Sequence, residues 1–186
     1  MSTVRAPGDA PVLPVLTGDD AERPDRIRDA VDRYGAAVIP GVLSSEETRR
    51  WLDALHGAAA RSADAGLPTH VPALDPNASN VRVFNLPGLD PAFGELLLHP
   101  ASARAAEALL GPDWIVSNFT ANVARPGSGS MALHSDQGIV VPEPWLQRWT
   151  LNAIWCLTDV RRENSATRFV PGSHRCTREL ELPDDP

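Results

Sequence analysis

Lysine is absent from this chain, so all 17 basic residues are arginines, and 24 acidic residues outnumber them to leave a net charge of -7. No broad basic surface of the kind a phosphate backbone requires can be built from that balance, which excludes nucleic acid as a partner. Cysteine occurs only at Cys156 and Cys176, with no Cys-x-x-Cys spacing. A disulfide framework and a cysteine zinc site are both excluded, and the usage fits a reducing compartment. No run approaches the roughly 20 apolar residues a membrane span needs. The opening MSTVRAPGDAPVLPVL also lacks the basic, apolar and small-residue order of a secretory signal. The expectation is a cytoplasmic protein without a membrane partner.

What is present is enough for one globular domain: 186 residues, 42% of them hydrophobic. Residues 1–22 are rich in Pro, Gly and Asp without periodicity and read as a flexible N-terminal arm, leaving residues 23–186 as a single domain. Ile27, Val31 and Tyr34 recur at helical spacing over 24–34, Gly35 stops that helix, and 36–39 is a short apolar strand. Pro40 and Gly41 turn the chain. Ser44 and Glu47 then form a capping box that opens a helix carrying Trp51, Leu52 and Leu55 to about Ala60. Five of the 18 prolines fall in 62–91, which reads as a long surface excursion with one strand at 81–86. Another helix fits residues 99 or 100 to 110, with Pro100 in its first turn and Gly111 as its stop.

Beyond Gly111 the period changes from helical to two. Residues 114–124 place Trp114, Val116, Asn118, Thr120 and Asn122 on one face and Ile115, Ser117, Phe119, Ala121 and Val123 on the other. Residues 149–158 alternate again, with Asn152 opposite Leu151, Ala153 and Trp155, and 166–170 is a further short strand before the turn Pro171-Gly172-Ser173. Helices followed by strands predict an α+β protein in which helices buttress an antiparallel sandwich or barrel. A strand face that carries amides either lines a wet cavity or looks out to solvent.

Of the five histidines, only His134 has a carboxylate two residues away, Asp136. In extended chain, residues i and i+2 project to the same side, so an imidazole and a carboxylate at this spacing can approach one ion together. With a second histidine they make up the facial triad of non-haem Fe(II) oxygenases, which leaves the far side of the metal open. A solvated His-Asp pair is the competing reading of the tripeptide alone. The flexible turn 126–130 precedes it, and a Pro- and Trp-bearing loop over 138–148, of the kind that covers a pocket, follows.

The stretches HSDQGIVVPEPW, LNAIWCLTDV and ENSATRFVPGSHR, with the earlier DRYGAAVIPGVLSSEE, resemble the phytanoyl-CoA dioxygenase family of Fe(II)- and 2-oxoglutarate-dependent oxygenases over most of residues 25–176. The resemblance implies N-terminal helices packed on a double-stranded β-helix, or jelly roll. It implies His134 and Asp136 as two of three iron ligands, with 2-oxoglutarate as co-substrate, O2 as oxidant and a small organic substrate hydroxylated with release of succinate and CO2. On that reading Asn122, Asn152 and Arg82 are expected to contact the co-substrate, against structural amides and a solvated arginine as the alternatives. Gln137 and Trp145, with Leu74 and Phe84, are expected to help set substrate choice. Ser165 stands where the family usually has Gly, a mild departure in a tight turn. His174 in P-G-S-H is rejected as a ligand, because in the family it lies in a turn after the fourth core strand.

The family's third ligand and its 2-oxoglutarate-gripping arginine come from a later strand, and only 12 residues follow His174. The jelly roll is therefore expected to be incomplete in this chain, its neighbouring strands left with exposed edges. Three readings follow. The first is a C-terminally truncated piece of a dioxygenase that is an enzyme when complete. The second is a degenerate, catalytically inactive jelly roll acting as a binding or interaction module. The third is a metal-dependent jelly roll of another class that recruits His70 or His99.

Overall fold

The computed structural model describes residues 2–3, 13–164, 166–170 and 172–178. The turn residues Ser165 and Pro171, most of the expected arm before residue 13 and the acidic tail 179–186 lie outside the described residues. Strands β1 (Ser2–Thr3) and β2 (Pro14–Val15) pair antiparallel. The segment expected as an arm continues into the short helix α1 (Asp19–Glu22), with Leu16 fully buried in the core.

Helix α2 (Pro24–Tyr34) has Pro in its first turn, where the missing N–H costs no intrahelical bond, and buries Ile27 and Ala30. It ends at Gly35, whose φ of 86° is the left-handed conformation that favours glycine; the Gly35 N–H donates to Val31. The strand expected over 36–39 reduces to a single parallel bridge between Val15 and Val38, because only one rung of partners is present. Helix α3 (Ser45–Asp64) opens with the expected capping box: the Glu47 N–H donates to Ser44 Oγ at 3.2 Å and the Ser44 N–H donates to the Glu47 carboxylate at 2.8 Å. It runs past the expected end near Ala60 to Asp64, where Arg61 donates to the Leu89 carbonyl and to Asp90 and so ties the last turn down.

Strand β3 (Asn80–Val83) starts one residue earlier than expected and stops short of Leu86. The chain turns at Asn85, φ 53°, into helix α4 (Leu86–Leu89), which is followed by α5 (Phe93–Leu97) and α6 (Pro100–Leu110). Part of the expected excursion is thus helical. Strand β4 (Ala121–Ala124) pairs antiparallel with β3 in the register Asn80↔Ala124, Val81↔Val123, Arg82↔Asn122 and Val83↔Ala121. Of the longer strand expected over 114–124, only these four residues have a ladder partner. The segments 149–158 and 166–170 carry the period-two pattern but form no ladder, since no strand among the described residues runs beside them. Helix α7 (Asp136–Val140) and 3-10 turns at Arg162–Asn164 and Ser173–Arg175 complete the order.

Two apolar clusters hold these elements. Trp51, Leu55 and Ala58 of α3 meet Val83, Leu86, Phe93 and Leu96, and Phe119, Ala121, Val123, Trp155 and Leu157 pack on them from the later half. Leu16, Ile27, Ala30 and Leu109 form the second cluster, with Leu151 against it. Mixed helices with small sheets are what the described residues show, and no helix among them is long and apolar enough to cross a membrane.

Candidate metal centre

Directly opposed residues of an antiparallel pair share a face, so the register puts Asn80, Arg82 and Asn122 together on one side of the β3–β4 ladder, with Val81, Val83, Ala121 and Val123 on the other. The apolar side packs into the first cluster through Val83, Ala121 and Val123. The amide-bearing side read from the sequence is therefore a real face, and it leads directly into the loop that carries His134.

That loop is held from below. The Arg125 N–H donates to the Ser79 carbonyl, and the Asn77 amide donates to the carbonyls of Gly127 and Ser128 at 3.0 and 3.3 Å. Gly129, at φ 71°, lies so close to the Pro76 ring that a Cβ there would stand 3.2 Å from it. Deeper in the same support, Asp75 has a fully buried side chain and accepts from the Val71 N–H, from the Asn80 amide and from Nε and Nη2 of Arg82, whose side chain is 15% exposed. Hydrogen bonding from the Arg82 guanidinium outweighs the desolvation cost and holds the Asp75 carboxyl at a pKa of about 2. Arg82 Nη2 also lies 2.9 Å from the Met131 sulfur, three residues before His134. Arg82, expected at the co-substrate, thus has two of its nitrogens committed to Asp75. Asp75 itself was missed in the sequence, because seven residues across an irregular Pro-bearing loop correspond to no fixed geometry.

At the site itself, Nδ1 of His134 is 2.8 Å from the Ala132 carbonyl. A carbonyl can only accept, so Nδ1 carries a hydrogen and, in the neutral ring, the lone pair is on Nε2. Nε2 faces Asp136 Oδ1 at 3.4 Å. The two groups thus turn acceptors toward one position, an arrangement that a cation held by both would satisfy. Two adjacent donors on a six-coordinate ion, each about 2.1 Å from it, stand about 3 Å apart, so the pair fits a first-row metal with only a small adjustment. The His134 side chain is 23% exposed and that of Asp136 52%, which leaves the pair open on one side.

Asp136 is the first residue of α7, behind the Ser135 cap whose Oγ accepts from the Gly138 N–H. Its Oδ2 accepts from the Asn152 amide at 2.6 Å. The structure therefore joins Asn152 to the carboxylate of the pair, while Asn122 stands beside Arg82 on the ladder. Gln137 Oε1 accepts from the Trp149 N–H at 2.9 Å. Trp145 is buried, donates its indole N–H to the Val141 carbonyl and its backbone N–H to Thr177, and lies so near Gly138 that a Cβ there would stand 3.1 Å from the ring. It closes the 138–148 loop onto α7.

The remaining histidines lie elsewhere or bring nothing to the pair. His99 caps α6, accepting at Nδ1 from the Ala101 N–H, with its ring edge-on to Trp155. His174 Nε2 is 3.1 Å from the Asp32 carbonyl at the end of α2, against Gly35. No set of three or more His, Cys, Asp or Glu side chains poised around one metal position, with His70 or any other, is found among the described residues.

A family model described as "Phytanoyl-CoA dioxygenase (PhyH)" matches residues 31–186. "Dioxygenase af480" of Aspergillus fumigatus is 49% identical over 152 residues, covering 82% of this chain and 49% of that protein. "Fe(II)/2-oxoglutarate-dependent dioxygenase nvfF" of Aspergillus novofumigatus is 30% identical over 173 residues, covering 82% and 54%. "Ectoine dioxygenase" of Bordetella parapertussis is 29% identical over 180 residues, covering 87% and 54%. The chain spans about half the length of these relatives, and no solved structure matches it. With the matched region taking in both the β3–β4 ladder and the His134–Asp136 pair, the chain belongs to the phytanoyl-CoA dioxygenase family.

Proposed function

We propose that the complete protein is an Fe(II)- and 2-oxoglutarate-dependent dioxygenase of the cytoplasm that hydroxylates a small organic molecule, on a jelly roll to which β3, β4 and the 149–158 segment contribute strands. The observation that carries this reading is His134 Nε2 facing Asp136 Oδ1 at 3.4 Å, with Nδ1 of the same ring held at the Ala132 carbonyl. The family membership and the relative named for Fe(II) and 2-oxoglutarate support the same chemistry.

His134 and Asp136 would hold the iron, which with 2-oxoglutarate supplies the oxidising chemistry, with succinate and CO2 as the by-products. This chain's own residues bind and orient. The Ala132 carbonyl keeps His134 in the tautomer that leaves Nε2 available. Asn122 and Arg82, side by side on the polar face, offer amide and guanidinium donors on the co-substrate side, with Asp75 fixing the guanidinium plane. Gln137 and the loop closed by Trp145 border the side from which a substrate would enter.

The test is anaerobic addition of Fe(II) and 2-oxoglutarate to the protein at its full natural length. A visible charge-transfer absorption, followed by succinate formation once O2 is admitted, is the expected result, and both should vanish in His134→Ala. Iron binding that survives loss of both His134 and Asp136 would overturn the assignment.

A further inference from the structure

Asn152 reaches Asp136 from 16 residues away, and its contact is one of a pair. The Trp149 N–H donates to Gln137 Oε1 while the Asn152 amide donates to Asp136 Oδ2, so two successive residues of α7 are each tied to the 149–152 stretch. The intervening loop is closed by buried Trp145, bonded to Val141 and Thr177. The stretch that bears Asn152 is also anchored on its other face, where Leu151 packs on the second apolar cluster and Trp155 on the first. The Asn152 amide is therefore delivered to the carboxylate by a braced segment and does not depend on a free side chain finding its partner.

The two oxygens of Asp136 are thereby made unequal. Oδ2 is occupied by an N–H donor at 2.6 Å, and Oδ1 is the oxygen that faces His134 Nε2. One lone pair of Oδ2 is taken by that N–H, so Oδ1 is the freer oxygen, and the hydrogen bond resists the rotation that would bring both oxygens to one ion. We propose that Asn152 is a positioning residue of the metal centre: its amide ties down Asp136 Oδ2, so that Asp136 meets the cation through Oδ1 alone, beside His134 Nε2. The proposal rests on the reading of His134 and Asp136 as metal ligands and assigns Asn152 to the ligand carboxylate in place of the co-substrate.

Co(II) serves as the probe, because its visible bands report ligand number and geometry without turnover. In the protein at full natural length, Asn152→Ala is expected to weaken Co(II) binding about tenfold, the lower end of what loss of a residue hydrogen-bonded to a ligand does, and to shift the Co(II) bands as the freed carboxylate changes its mode. Asn152 is exposed, so the fold should survive, and an unchanged far-UV spectrum and melting temperature of the metal-free variant would show it. Asn152→Ser, too short to reach Oδ2, should behave in the same way and provides a second measurement. Unaltered affinity and unaltered bands in both variants would overturn the positioning role while leaving the metal site standing. A parent protein whose Co(II) affinity is indifferent to His134→Ala would instead remove the metal reading, and this proposal with it.

Discussion

The stretch from Pro24 to Leu110 and the stretch from Trp114 to Arg178 are similar in hydrophobic content yet differ in how they meet their backbone hydrogen bonds. In the first, α2, α3 and α6 satisfy their N–H and C=O groups within themselves, and packing has only to bury one stripe of each. In the second, only Ala121–Ala124 has a ladder among the described residues, and Ile115, Leu146 and Ile154 are more than half exposed. Alternation survives there without pairing: Leu151, Trp155 and Leu157 turn toward the cores while Asn152, Ile154 and Cys156 turn out. A helix can be completed by its own sequence, whereas a strand is a relation between two segments. The candidate metal centre sits in the second region but is anchored from the first, through the 74–80 loop and β3.

If that anchoring is real, cutting the apolar link between the halves should have the largest effect. Phe93 is 1% exposed, with its ring 5.5 Å from Trp51 and 6.2 Å, edge-on, from Phe119. Phe93→Ala is expected to cost about 3–5 kcal/mol by denaturant unfolding, since it removes the shared ring and leaves a cavity between α3 and the later half. A loss under about 1 kcal/mol would show that the two regions are not coupled there.

The polar link comes next. Asp75→Ala leaves the Arg82 guanidinium with no carboxylate in a mostly buried position and should cost about 3 kcal/mol. Because Arg82 also touches Met131, this variant should loosen the loop before His134 and lower Co(II) affinity, whereas Phe93→Ala should act on stability alone. The pair gives a pH test as well. The folded-state pKa of Asp75 is depressed to about 2 from an ordinary 3.8, so its stabilisation is nearly complete above about pH 5 and is lost as pH falls through 2. About 2–3 kcal/mol should disappear across that window. An acid-unfolding curve of Asp75→Ala with the same loss there would mean that other carboxylates carry the effect.

How much of this was legible in the sequence follows the same division. The bounds of α2, the start of α3 and its capping box, and α6 were readable because caps and stops are local: Pro24, Gly35, Ser44 with Glu47, Pro100 and Gly111 each act within one turn. Period two alone groups the amides at Asn122 and Asn152 on faces of their own but does not say which way a face looks: the co-substrate role expected for both has them facing inward, and both are exposed. The length of each strand was not readable either, because pairing depends on a neighbour that the segment itself does not encode. His134 and Asp136 stood out by spacing, and the structure places them together. The partners of Arg82 and Asn152 could not be inferred, because Asp75 and Asp136 meet them across turns with no fixed period.

The smallest expected effect tests the self-sufficiency of the helical region. Ser44 Oγ accepts from the Glu47 N–H, and the Glu47 carboxylate, its pKa lowered chiefly by the Ser44 backbone N–H, closes the box from the other side. Ser44→Ala removes one acceptor from the first turn of α3 and is expected to cost about 1 kcal/mol. The Glu47 half of the box should keep part of the cap. Since α3 presents Trp51, Leu55 and Ala58 to the first cluster from a rigid rod, the loss should appear as earlier global unfolding, with the Co(II) spectrum unchanged. A Ser44→Ala variant that altered the metal spectrum while leaving stability intact would reverse the division, because the cap would then be acting on the later region without passing through the helix it begins.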